Sequence, residues 1–212
     1  MNIFLIIISS LLSIFISRKI YSRLTVLYPD YNLDHSGIIY YISAIVSFIL
    51  QSSFLDKIVE VNFINCSNLH KIFLIMCFIS TILISSCLAV SCVIDWFVYE
   101  LPDETNLIIL LSMIPLSLYL NSGKSLLTGI IIFIIYFALS VWTNSFGMGD
   151  VKLAVALAIG LKLSTLFKFI FLSFLFASIF SIIKMVVKRA DLKSEIAFGP
   201  YIALSFIILF II

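Results

Sequence analysis

Residues 72–94 read IFLIMCFISTILISSCLAVSCVI, an unbroken uncharged run that stops at Asp95. A bilayer core of about 30 Å needs roughly 20 apolar residues in a helix, and this run has that length. Ser36–Leu55, Ser125–Gly149 and Phe169–Ile183 are uncharged as well. The whole chain follows suit, with 63% hydrophobic and only 11% charged residues in 212 and a mean hydropathy of +1.24. A soluble domain of this size needs more polar surface than that. The expected class is all-α, a polytopic transmembrane bundle that leaves no room for a sizeable soluble domain.

Eight helices are expected, at about 2–17, 36–55, 72–94, 106–121, 125–143, 150–162, 166–187 and 196–212. The segment 150–162 is short for a span and carries Asp150, Lys152 and Lys162, so a partial helix buried among the others is its alternative. Met1–Ser17 is apolar, but its basic residues Arg18, Lys19 and Arg23 follow it, and no small-x-small cleavage pattern appears. It reads as a retained first helix with its N-terminus outside. Alternation then puts 18–35, 95–105, 144–149 and 188–195 in the cytoplasm. The basic clusters Arg18/Lys19/Arg23 and Lys188/Arg189/Lys193 lie on that side, whereas Lys57, Lys71, Lys124 and Lys162 are spread singly on the other. Two regions are expected: 1–71, two helices joined by a short cytoplasmic loop 18–35, and a six-helix catalytic region 72–212.

Cys66, Cys77, Cys87 and Cys92 form no C-x-x-C pair, and the spacing argues for apolar filler rather than zinc ligation. His35 and His70 sit near opposite membrane boundaries and cannot act together. No Gly-rich phosphate loop, Ser/His pair or nucleic-acid surface is visible, and no metal site is expected.

The charges that call for explanation are Asp95, at the end of the third span, and Asp150, in FGMGDVKL at 146–153. Carboxylates at a membrane boundary are costly and point to function, although a solvated helix end is the plain alternative. The topology puts both at one face. Gly147 and Gly149, two of only seven glycines, allow unusual backbone or close approach beside Asp150. Two carboxylates in a partly dry site share one proton. One can then take a proton from water while the other gives one to a carbonyl oxygen. Asp150 lies at an expected helix N-terminus and Asp95 near a C-terminus, so the dipoles favour Asp150 as the ionised member.

Asp95, Leu101-Pro102-Asp103, Gly147-Met148-Gly149-Asp150-Val151-Lys152-Leu153 and Phe198-Gly199-Pro200-Tyr201 together resemble the type IV prepilin peptidases. These are polytopic aspartic proteases of the GxGD type, and the resemblance covers about residues 72–212. It implies that Asp95 and Asp150 are the catalytic pair. It further implies an enzyme of the bacterial inner membrane, active site toward the cytoplasm, that cuts the basic leader from prepilins or from the pseudopilins of secretion systems. Cleavage falls after a glycine and before a hydrophobic segment. Many such enzymes then methylate the new N-terminus with S-adenosylmethionine. Methylating members commonly carry two C-x-x-C pairs between helices 1 and 2, where this chain has RKIYSRLTVLYPDYNLDH and no cysteine. It looks like a short form, for which zinc is not expected and methylation is left open.

Residues 95–105 hold Asp95, Glu100, Asp103 and Glu104 without lysine or arginine, and such a patch would attract a basic leader. Pro102 fixes the turn after Asp95, and Lys152 either pairs with Asp103 or reaches for headgroups. A small transporter or proton relay using Asp95 and Asp150 as carriers is the alternative function.

Overall fold

Small side chains set the middle of the bundle. In the computed structural model, which describes residues 2–29, 37–59, 68–121, 125–143, 146–188 and 196–212, the long helix α3 (Asn68–Val98) buries Ser80, Thr81, Ser85, Ser86, Cys87, Ala89 and Ser91. Side chains this short let neighbouring helices approach closely. Around α3 pack α1 (Asn2–Leu27), α2 (Gly37–Val59), α4 (Asp103–Asn121) and α8 (Gly199–Ile211). The Ser13 hydroxyl of α1 lies 3.2 and 3.0 Å from those of Ser85 and Ser86. Ser17 donates to Ser43 of α2 at 3.1 Å. These bonds tie three helices together through side chains that are fully buried.

The remaining helices are α5 (Ser125–Thr143), α6 (Met148–Ala158) and α7 (Leu166–Lys188), with a 3-10 turn at Leu163–Thr165 before α7. Among the described residues, six helices are long and apolar enough to cross a membrane, namely α1 to α5 and α7. The fold is therefore an all-helical polytopic membrane bundle. The two short helices are interior pieces. α6 has 11 residues, about 16 Å at 1.5 Å per residue, and buries Val151, Leu153, Ala154 and Ala156–Ala158 against α4, α5 and α8. Thr128 of α5 donates to the Ala158 carbonyl at 2.9 Å, satisfying a helix-end acceptor in place of water.

Several boundaries differ from expectation by a few residues, and three of the differences shape the bundle and its site. α1 continues through Leu27, so much of the expected loop 18–35 is helical, because Tyr21 and Leu24 bury against Ile39, Val90, Val93 and Ile94. α3 runs one turn past Ile94, so Asp95 lies inside its last turn. α6 stops at Ala158 and turns at Ile159–Leu161, short of the expected 162. His35, Cys66 and most of 188–195 lie outside the described residues.

Candidate active site

The last turn of α3 carries Asp95 inward, 4% exposed. Directly after the helix, Tyr99 takes a left-handed backbone conformation, φ 60°, while its N–H donates to the Asp95 carbonyl at 2.9 Å. That reversal sends Leu101-Pro102 across to α4. The Pro102 carbonyl then accepts from Thr105 Oγ1 at 2.9 Å and from the Asn106 N–H at 3.3 Å. Thr105 in turn lies 2.6 Å from Ser91 Oγ on α3. Asp103 and Glu104 occupy the first turn of α4, where the helix dipole favours them.

α6 brings Asp150 to the same place. A Cβ added at Gly149 would stand 2.9 Å from Leu101 Cβ, so close approach of α6 to this crossover requires glycine there. Asn106 Nδ2 donates to the Gly149 carbonyl at 3.5 Å. Gly147 has φ −66° and ψ 143°, a backbone open to any residue, but a Cβ there would stand 3.3 Å from Asp150 Oδ2, a tight approach to the carboxylate. α8 completes the wall: the Gly199 N–H donates to Asp95 Oδ2 at 2.8 Å, and a Cβ there would collide with that same oxygen.

The result is one cavity of about 400 Å³ lined by Tyr28, Asp95, Tyr99, Glu100, Leu101, Pro102, Asp103, Gly147, Gly149 and Asp150. Segments expected at one membrane face, the ends of α1 and α3 and the start of α6, thus meet at one end of the bundle. Of the residues singled out in the sequence, Asp95, Asp150, Gly147, Gly149, Pro102, Asp103 and Glu100 line it. Lys152 and Glu104 do not. Lys152 Nζ instead pairs with Asp103 at 2.7 and 2.9 Å, both side chains being exposed; such a pair is worth about 0–1 kcal/mol. Glu104 Oε1 accepts from the Tyr28 hydroxyl at 3.0 Å. That hydrogen bond raises the Tyr28 pKa above its ordinary value, so the phenol stays a donor.

The protonation expected from the helix ends is reversed. Asp95 accepts the Gly199 N–H, whereas Asp150 Oδ1 is buried with no hydrogen-bond partner among the described residues. Burial, and then the charge of Asp95, push the Asp150 carboxyl up to about 7, against a backbone contact from Gly147 that lowers it. A helix N-terminus offers only about 0.3–1 kcal/mol, less than one pKa unit at roughly 1.4 kcal/mol each. Asp150 is therefore the member that holds the proton near neutral pH.

Tyr28 and Tyr99 were not anticipated. Tyr28 lies far from either aspartate in sequence, and a left-handed tyrosine leaves no compositional trace. The Gly199 amide had a partial signal in Phe198-Gly199-Pro200-Tyr201, where Pro200 opens α8. Among the described residues, no group of three or more His, Cys, Asp or Glu is placed to hold a metal ion. Cys77, Cys87 and Cys92 are free thiols.

Residues 82–182 match the model described as the type IV leader peptidase family. No curated protein and no solved structure matches the chain. The matched stretch holds Asp95, Asp150 and the crossover between them, the parts that line the cavity.

Proposed function

We propose that this protein removes the short basic leader from type IV prepilins or pseudopilins at the cytoplasmic face of the bacterial inner membrane, with Asp95 and Asp150 as its water-activating pair. The observation that carries the reading is the shared cavity, in which two carboxylates from separate helices line one space. Asp95 accepts a proton from the attacking water while Asp150 gives its proton to the scissile carbonyl oxygen. The tetrahedral intermediate then collapses with return of a proton to the leaving amine, and no covalent enzyme intermediate forms. Glu100 and Asp103 on the cavity wall make it attractive to a basic leader. The exposed Arg18, Lys19 and Arg23, in the turns of α1 leading to Tyr28, favour the cytoplasm for this end.

Proteolysis by this pair draws on no cofactor. Methylation of the new N-terminus would consume S-adenosylmethionine as a second substrate. The test uses purified protein in detergent and a synthetic peptide with a lysine-rich leader, a glycine at the junction and an apolar segment. Wild type should release the leader, and Asp95→Asn and Asp150→Asn should each lower kcat by about 10²–10⁴-fold. Cleavage unchanged in both variants, with proton flux in liposomes that they abolish, would instead make the pair a relay.

A further inference from the structure

Behind Tyr99 lies a second recess of about 280 Å³, walled by Trp96 at the end of α3, Phe180, Ile183 and Val187 of α7, and Tyr201 of α8. Tyr99 lines this recess and the aspartate cavity alike. Its backbone conformation is one that a bulky residue rarely adopts, and such strain persists only where the surroundings enforce it. Here the N–H is held by the Asp95 carbonyl, and Lys184 Nζ stands 5.8 Å over the ring. The two spaces differ sharply in chemistry. Carboxylates line the first, whereas aromatic and aliphatic side chains with a single cation, Lys184, line the second. Among the spans, α7 is the least covered, with 6% of its apolar window buried against 61% for α3, so the recess can be entered from the bilayer.

We infer that this groove receives the apolar residues immediately following the scissile bond, and that Tyr99 is the wall that places that bond over the aspartates. The inference rests on the peptidase reading above. A chain crossing Tyr99 passes from an anionic space to an apolar one, and a substrate with a basic segment before the cut and an apolar one after it has the matching polarity. Phe180 packs on Tyr201 with ring centroids 5.4 Å apart, which gives the groove a firm aromatic floor rather than a loose lipid-facing surface.

The test uses the full chain in lipid nanodiscs. An Asp150→Asn variant is mixed with an uncut peptide that carries a lysine-rich leader, a junction glycine and an apolar segment of roughly 20 residues. A photo-reactive leucine stands at the second position after the junction. The label should map to peptides bearing Trp96, Phe180 or Ile183. In the otherwise wild-type enzyme, Ile183→Trp and Val187→Trp, at exposed positions that tolerate bulk, should raise KM for this peptide about tenfold with kcat unchanged. Both should leave inhibition by the leader peptide alone unaltered, and Ile45→Trp, on exposed α2 surface, should change nothing. Label on lipid or scattered along the outer face of α7, or an unchanged KM in both groove variants, overturns the groove. If those outcomes come with cleavage still lost in Asp95→Asn, the peptidase reading stands without it; cleavage retained in Asp95→Asn removes the peptidase reading itself.

Discussion

Gly199 is the position where one methyl group should be felt most. A Cβ there would stand 2.8 Å from Asp95 Oδ2 and 3.1 Å from Leu101 Cδ2, and α8 would have to withdraw the N–H that Asp95 accepts. Misplacing a reacting group by an ångström costs about 10²-fold. Gly199→Ala should therefore lower kcat by roughly that factor while the purified protein keeps its helical circular dichroism; full activity would show that the amide does not position Asp95. Asp150 carries a pH signature. Its carboxyl titrates near 3.8 ordinarily and about 7 in the fold, so the folded state binds the proton more tightly. Its contribution to stability is complete below about pH 4 and is lost as pH rises through 7, by up to roughly 4 kcal/mol. The thermal midpoint of wild type should fall relative to Asp150→Asn between pH 4 and 8, and kcat/KM should decline above pH 7 as the proton leaves. Parallel stability profiles for the two proteins would contradict the assignment. The proton was misassigned from sequence because helix ends are visible there and burial is not.

Between elements, the decisive joint is the crossover from α3 to α4, against which α6 seats. Leu101-Pro102-Asp103 was legible as a turn, and Gly149 as a residue chosen for closeness. The partner of that closeness, Leu101, became visible only in three dimensions. At Gly147 the backbone is ordinary, and the closeness is to the Asp150 carboxylate, 3.3 Å from where a Cβ would stand. The acidic stretch 100–104 divides in the fold. Glu100 and Asp103 line the cavity, whereas Glu104 lies outside that lining and holds Tyr28. Substrate attraction should thus draw on Glu100 and Asp103 rather than on Glu104. Glu100→Gln should raise KM for a basic leader peptide several-fold at low ionic strength, and the difference should fade at high salt. An effect that does not change with salt would point to lost contact rather than lost field. The extension of α1 past Ser17 shows the same limit: RKIYSRL is polar enough to read as loop, and only the burial of Tyr21 and Leu24 against α3 makes it helix.

At the scale of the molecule, membrane composition made the bundle legible and the alternation of spans brought both aspartates to one face. Which helix stands at the centre was hidden, because lipid-facing and helix-facing residues are equally apolar. The serines of α3 were the unused signal. Ser86 donates to Ile82 at 2.8 Å and to the Ser13 carbonyl at 3.3 Å, so α1 rests directly on it. Ser86→Leu should cost about 1–3 kcal/mol of stability by overpacking, and Ser86→Ala only about 0.6 kcal/mol, measured by unfolding in detergent; equal losses would mean that the hydrogen bond matters and the spacing does not. The most direct test of the whole account is mass spectrometry of the N-terminus of a prepilin co-expressed with this protein. With wild type, the mature chain should begin immediately after the leader glycine, and any methylation would appear as one added methyl mass. With Asp95→Ala or Asp150→Ala the leader should remain intact. A mature N-terminus in either variant, at wild-type yield, would contradict the claim that the two carboxylates act as a pair.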